Sequence, residues 1–216
     1  MQRICTSLAA SGFDVLLVGR KLQNSLPLKK QLFKQKRLNC FFKTGFLFYA
    51  EYNLRLFFFL LFAKADLFCA IDLDTICPVY FSSLIRHKKR VYDAHELFTE
   101  QKEIVTRPFV HRFWMRIENF YVPKFPKGYT VNNFIKEELK RRHDVEYSIV
   151  RNLPLYISEN FEFQKQDKNF IIYQGAVNEG RSFETLIPAM QHVDAKLKIY
   201  GKGNFFEQTQ KLDRKS

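Results

Sequence analysis

The sequence has few of the residues that mark the simplest kinds of site. Its four cysteines, at positions 5, 40, 69 and 77, form no Cys-x-x-Cys pair and no Cys/His spacing suited to zinc. Free thiols in a reducing compartment are therefore expected. The apolar run 54–63 contains Arg55 and falls short of the about 20 residues that a bilayer span needs. The N-terminus lacks the continuous apolar segment of a signal peptide. These features predict a cytoplasmic protein.

Acidic residues are also in short supply. The chain has 35 Lys and Arg against 22 Asp and Glu, a net charge of +13. Such a charge favours an anionic partner: nucleic acid, an acidic lipid surface or a phosphorylated small molecule. No zinc finger or RNA-recognition signature is present, so nucleic acid is the least favoured of the three.

Phenylalanine, by contrast, is abundant, with 24 residues in the chain and dense groups at 41–42, 46–48 and 57–59. The segment 45–63 has helical content with apolar residues all round its second half. One interpretation is a helix buried in a core. The other is a peripheral helix that docks, with its flanking Lys and Arg, on the inner face of a membrane.

Strands and helices alternate along the first part of the chain. Helices are predicted over 2–11, 45–63, 109–121 and 132–142 and after Thr75 to about 85, and strands over 13–18, 66–71, 90–92, 129–131 and 147–150. This alternation predicts an α/β fold with a Rossmann-like, doubly wound parallel sheet. Because the series opens on a helix, the first strand of such a sheet is expected to be missing from residues 1–153.

A second unit follows a polar, aperiodic stretch at 154–168, which is predicted to be a linker. Residues 169–216 read as a strand at 169–173, a helix at 182–191 and a strand at 196–200 that ends in Gly-Lys-Gly. This is one βαβ repeat and the start of another. Two strands are too few to close a core, so this unit is expected either to pack on the first one or to be the opening of a larger domain.

Titratable side chains gather where two predicted strands end. Asp72 and Asp74 follow one strand, and Asp93, His95 and Glu96 follow the next. In open α/β sheets, ligands bind beyond the carboxyl ends of the strands, which predicts a site here. The alternative is that Asp74 caps the following helix and that His95 only caps the next segment.

Taken together, these segments resemble the family-4 glycosyltransferases, in particular the branch common in Bacteroidetes. The residues that carry the likeness lie in the family's order along most of the chain. They are Ala-Ile-Asp-Leu-Asp-Thr at 70–75, Val-Tyr-Asp-Ala-His-Glu-Leu-Phe at 91–98, Val-Arg-Asn at 150–152, Tyr-Gln-Gly-Ala-Val-Asn-Glu-Gly-Arg at 173–181 and Gly-Lys-Gly at 201–203.

The resemblance implies a GT-B architecture of two Rossmann-like domains facing each other across a cleft. Residues 1–153 would receive a glycan or lipid-linked acceptor, and residues 169–216 would begin the domain for a UDP- or GDP-linked sugar donor. Transfer would retain the anomeric configuration and would need neither a metal nor another cofactor. His95 would lie near the transferred sugar, with Asp72, Asp74, Asp93 and Glu96 at the rim of the acceptor cleft.

On the donor side, the resemblance assigns Gly175, Arg181, Gly201 and Gly203 to the nucleotide sugar. Arg181 stands where the family usually has a Lys that meets the diphosphate, and Arg suits that task because it grips phosphate oxygens in a bidentate way. Ala176 replaces an Arg found in many members. The family's first strand and its paired glutamates are not in the sequence, so the chain alone is expected not to catalyse transfer. A non-catalytic remnant or, less favoured, a nucleic-acid-binding protein are the alternatives.

Overall fold

A computed structural model describes residues 1–23, 25–153 and 169–213. The chain divides into two compact units, Met1–Pro154 and Leu155–Ser216. The predicted linker at 154–168 lies outside the described residues.

The first unit alternates helices and strands along its length. Its helices are α1 (Gln2–Ala10), α2 (Gly45–Phe62), α3 (Ile76–Ile85), α4 (Lys102–Val105), α5 (Pro108–Tyr121) and α6 (Asn133–His143). Its strands are β1 (Leu16–Lys21), β2 (Lys34–Asn39), β3 (Leu67–Ile71), β4 (Lys89–Ala94), β5 (Gly128–Thr130) and β6 (Ser148–Ile149). Every pairing between these strands is parallel, which confirms the predicted α/β class.

The described strands of this unit form two sheets. One contains β1 and β2, and the other has the order β3-β4-β5-β6. Neither sheet contains the reversal of strand order that defines a doubly wound sheet. The doubly wound order is therefore not seen in these two sheets. Their parallel strands, alternating with helices, are consistent with a Rossmann-like fold.

The strand predicted at 13–18 is shifted and is not buried. It runs from Leu16 to Lys21 without a fully buried residue, and Phe13 lies exposed before it. The reason is that, among the described strands, β1 pairs with β2 alone, and β2 is basic. The Lys and Arg of β2 suit a strand at the edge of a sheet.

The core of the first unit lies against the four-stranded sheet. Ala70 of β3, Ile76 of α3 and Val122 after α5 are almost completely buried, as are Phe125 and Tyr147. Helix α2 joins this core through one face only, at Tyr52, Leu56 and Leu60. By length and composition α2 could cross a membrane, a test that core helices of soluble proteins also pass. The opposite face of α2 is exposed, so the interpretation of α2 as a helix buried in the core holds for one face only.

The second unit contains β7 (Phe170–Gln174), α7 (Phe183–Ala189), β8 (Lys196–Tyr200) and α8 (Phe206–Asp213). β7 and β8 pair in parallel, from Phe170 opposite Lys196 to Gln174 opposite Tyr200. Val177, Phe183 and Ile187 form its small core. An open groove of about 470 Å³ lies between α7, β8 and α8, as expected for a sheet of two described strands.

Candidate functional site

The site predicted in the first unit lies at the carboxyl ends of β3 and β4. Ile71 and Asp93 are paired across these strands, and the Asp72 amide donates to the Asp93 carbonyl over 2.9 Å. The Asp72 Oδ1 then accepts from the His95 amide over 3.1 Å. The two strand ends are therefore joined by both backbone and side chain, and the predicted residues do come together.

A strained turn begins the connection from β3 to α3. Asp72 has a φ of +55°, a conformation that residues other than glycine seldom adopt. Thr75 stabilises the turn, because its hydroxyl donates to the Ile71 carbonyl and accepts from the Ile71 amide. Such strain is often found at functional sites.

The hypothesis that Asp74 caps α3 is wrong. The residue before α3 is Thr75, and the Asp74 side chain makes no capping bond to the helix. Asp74 instead lies in the short 3-10 turn Leu73–Thr75, where its carbonyl accepts from Asn53 over 2.9 Å. Because the turn precedes the helix, the carboxylate is free of capping and stays near Asp72.

His95 is partly accessible at the centre of the site. Its side chain is 23% exposed, and its Nε2 lies 3.6 Å from the Asp93 carboxylate. The same nitrogen lies 3.0 Å from the Met1 sulfur. A ring with one nitrogen towards a carboxylate and one accessible edge can hold a fixed tautomer and bond a ligand hydroxyl.

Asp93 is completely buried, which corrects its predicted position at the rim of a cleft. The reason is that β4 extends to Ala94, so Asp93 lies within the strand. Its Oδ2 accepts from the Tyr129 hydroxyl over 2.8 Å, whereas its Oδ1 has no partner among the residues that the structure describes. Burial raises the pKa of Asp93, although Tyr129 and His95 oppose that change. Asp93 therefore lies on the buried side of His95, with its carboxylate 3.6 Å from the ring nitrogen.

Two further carboxyl groups have pKa values close to neutrality. Burial, together with the nearby Asp74, raises the pKa of Asp72 to about 7. Burial also raises the pKa of Asp74 to about 6. A carboxyl group that titrates near the working pH can both give and take a proton, so Asp72 has the acidity expected of a general acid or base.

Glu96 is exposed, and its place at the rim of an acceptor cleft stays a prediction. Its carboxylate accepts from the Gln101 side chain over 2.5 Å. Its charge contributes to the raised pKa values of Asp72 and Asp74. Glu96 therefore fastens the segment that follows β4 and adds negative charge beside the two aspartates.

A buried ionic network supports the segment after β4, and sequence reasoning missed it. Glu118 of α5 accepts from Thr99 over 2.7 Å and lies 2.9 Å from the His143 ring. Arg142 lies 3.5 Å from Glu118 and 2.7 Å from Glu100. The signal in the sequence is Glu118 itself, a charged residue one turn after Trp114 on the apolar face of α5. The network links α5 and α6 to the residues that follow His95.

In the second unit, Gly201 and Gly203 are needed for close packing. A Cβ on Gly201 would overlap the Gly175 carbonyl, and one on Gly203 would overlap the Val177 carbonyl. The strand-end loops are joined by bonds from the Gly175 amide to Tyr200 and from the Val177 amide to Lys202. In this structure the glycines therefore allow one loop to approach the other, and their assignment to the nucleotide sugar stays a prediction.

Arg181 is exposed just before α7, with its amide donating to the Asn178 carbonyl over 3.3 Å. Asn178 and Asn204, which sequence reasoning missed, connect the same two loops. The Asn178 Oδ1 accepts from the Asn204 amide, and the Asn204 Oδ1 accepts from the Glu179 amide. The loop that carries Arg181 is therefore held in place from both sides.

Across the described ranges, no three His, Cys, Asp or Glu side chains are arranged to hold a metal ion. The expectation of metal-independent chemistry stays a prediction. The chain matches no protein-family model, and no curated protein matches it.

Proposed function

We propose that the chain is a GT-B glycosyltransferase of the family-4 type. Its first unit would take a glycan or lipid-linked acceptor at the inner face of the membrane, and its second unit a UDP- or GDP-linked sugar. The observation that carries the proposal is the joined pair of strand ends, where Asp72 binds the His95 amide and Asp93 lies behind the His95 ring.

On this proposal, His95 binds a sugar hydroxyl through the accessible edge of its ring. The buried Asp93 carboxylate favours the tautomer in which the nearer ring nitrogen carries the proton. Asp72, with a pKa of about 7, exchanges a proton with the reacting groups. The proposed transfer retains the anomeric configuration and uses no metal.

On the donor side, the proposal gives Arg181 the diphosphate. The guanidinium is exposed on a loop that Asn178 and Asn204 hold in place. Binding of the diphosphate would therefore cost little further loss of backbone motion in that loop. Gly175, Gly201 and Gly203 shape the neighbouring loops and leave backbone, rather than side chains, at that edge.

The test is calorimetric titration of the chain with UDP, GDP and ADP. We expect UDP or GDP to bind more tightly than ADP, and Arg181→Ala to weaken binding by about tenfold, the effect of one charge-assisted bond. The matched control is Lys196→Ala, an exposed cation at the opposite end of β8. Equal affinities for wild type and Arg181→Ala, or no binding of UDP and GDP, would contradict the donor assignment.

A further inference from the structure

The segment from residue 20 to residue 43 is strongly basic. It contains eight Lys and Arg and no Asp or Glu, the cations being Arg20, Lys21, Lys29, Lys30, Lys34, Lys36, Arg37 and Lys43. This segment includes the whole of β2 and the loop that leads to α2. Lys34 pairs with Asp14 over 2.9 Å. The net positive charge that is left on the segment attracts anions over about a Debye length.

Two phenylalanines at the end of this segment are held in exposed positions. Phe41 is 84% exposed, and Phe42 follows it on the surface. The Glu51 carboxylate of α2 accepts from both backbone amides, over 2.8 Å from Phe41 and 2.9 Å from Phe42. Glu51 also accepts from Arg55 over 2.7 Å. The backbone under the two rings is therefore fixed, which lowers the entropy cost of inserting the rings into another phase.

Helix α2 continues the apolar surface. Phe46, Ala50, Leu54, Phe58 and Phe62 are spaced four residues apart, so they form one row along the helix, and all are exposed. Phe62 is 83% exposed. The row lies apart from Tyr52, Leu56 and Leu60, which pack into the core. Phe46 contacts Phe113 of α5, with ring centroids 6.0 Å apart, and this extends the surface to a second helix.

Cations and apolar residues meet in an open groove between β2 and α2. The groove has a volume of about 430 Å³ and is lined by Lys36, Arg37, Leu38, Asn39, Arg55 and Phe58. Phe58 belongs to the exposed row of α2, so positive charge lies directly beside a mixed aliphatic and aromatic surface. An anionic lipid headgroup beside its acyl chains presents the complementary pattern.

We propose that this basic and apolar surface, formed by β2, the Phe41–Phe42 turn and the outer row of α2, docks the protein on a bilayer that contains anionic phospholipid. Aliphatic members of the row, Ala50 and Leu54, favour a bilayer over nucleic acid, since bases stack on aromatic rings. The inference specifies the surface behind the proposed membrane location. It does not depend on sugar transfer, because vesicle binding requires neither nucleotide nor turnover.

The test is sedimentation with vesicles of phosphatidylcholine alone or of phosphatidylcholine and phosphatidylglycerol in equal parts. We expect binding to the mixed vesicles only, and weaker binding at high salt. Lys36→Gln with Lys43→Gln should weaken binding by roughly 25-fold, since each cation near an anionic surface contributes about fivefold. Phe41→Ser with Phe62→Ser should abolish sedimentation with the vesicles, because it removes two rings that would insert into the bilayer. Both rings are exposed, so the variant should still fold.

The matched controls are Phe134→Ser and Lys127→Gln. Phe134 is an exposed phenylalanine of α6, and Lys127 is an exposed cation before β5, a strand separated from β3 by β4. Both controls should co-sediment with the mixed vesicles to the same extent as wild type. Circular dichroism should show that all variants are folded. Unchanged binding by the charge or the phenylalanine variant would overturn the proposal. The proposal would also be overturned if single-stranded nucleic acid displaced the protein from the vesicles. A third contrary result is a protein that binds no vesicles but self-associates, and that loses this self-association on Phe62→Ser.

Discussion

The two strand-end regions of this protein are built in opposite ways. At the ends of β3 and β4, side chains form the site: Asp72, Asp93 and His95 are partly or completely buried and bond to one another or to nearby backbone. At the ends of β7 and β8, backbone forms it, because Gly175, Gly201 and Gly203 allow two loops to touch. Charge changes should therefore matter most in the first region, and added volume in the second.

Loss of the Glu118 charge, in the network next to the first region, should have the largest effect on the free energy of unfolding. Glu118→Gln would leave Arg142 and His143 in a buried site without their carboxylate, and breaking a buried ion pair costs about 3–5 kcal/mol. Although burial raises it, bonds from His143 and Thr99 hold the pKa of Glu118 below its usual value. The stability that Glu118 contributes is therefore present above its unfolded pKa and is lost as the pH falls through its folded pKa.

Urea unfolding followed by Trp114 fluorescence measures this effect, since Trp114 lies one turn from Glu118. The matched control is Glu137→Gln on the exposed side of α6, which should change the free energy of unfolding by less than about 0.5 kcal/mol. If Glu118→Gln were as stable as this control, the network would not support the site.

Added volume in the second region should come next. Gly203→Ala places a methyl group against the Val177 carbonyl, which already accepts from the Phe205 amide over 3.0 Å and cannot move freely. We expect a loss of about 3 kcal/mol, at the upper end for overpacking. Amide hydrogen exchange at β7 and β8 should rise, with no change at β3 and β4.

Gly19→Ala is the control, because a Cβ there has no neighbour within 4 Å. Gly19 lies within β1, so its substitution leaves the second region unaltered. Equal exchange rates in Gly203→Ala and wild type would show that the contact between the two loops is not close in solution.

A charge change within the first region should have a smaller effect, and of opposite sign. The pKa of Asp72 is raised from 3.8 to about 7 by burial and by Asp74. The folded state therefore binds more protons than the unfolded state between about pH 4 and about pH 7, and stability falls as the pH rises through that range. Asp72→Asn should stabilise the protein at neutral pH by about 2 kcal/mol, after discounting for partial solvation.

Asparagine keeps an oxygen for the His95 amide and tolerates the positive φ at position 72. Thermal unfolding across the pH range should show a flatter profile for Asp72→Asn than for wild type. Asp66→Asn is the control, because that carboxylate is fully exposed beside Lys88. A profile of unchanged slope in Asp72→Asn would mean that Asp72 is charged throughout the range.

The sequence predicted the residues at the ends of β3 and β4 better than it predicted the elements and contacts around them. The apolar run before Asp72 and the short β-prone run 90–92 before Asp93 indicate two strands of a parallel sheet. The carboxyl ends of such strands lie at the same edge of the sheet, which is why Asp72 and His95 are expected to lie close together. Strand β2 was hard to predict because Lys34–Asn39 has no apolar alternation. The Glu118–His143 contact joins two helices that share no periodic signal, and the contact between Gly203 and Val177 depends on how two loops pack. Such contacts depend on tertiary packing, which local patterns do not encode.

The most direct test of the proposed function is to follow the amide spectrum of the isotope-labelled chain during titration with a UDP-sugar, a GDP-sugar and ADP. The account predicts that one of the two sugar nucleotides, and not ADP, shifts the amide signals of Gly175, Arg181, Gly201 and Gly203. It would be contradicted if no sugar nucleotide shifted these signals, or if the shifts were confined to Lys36 and Arg37.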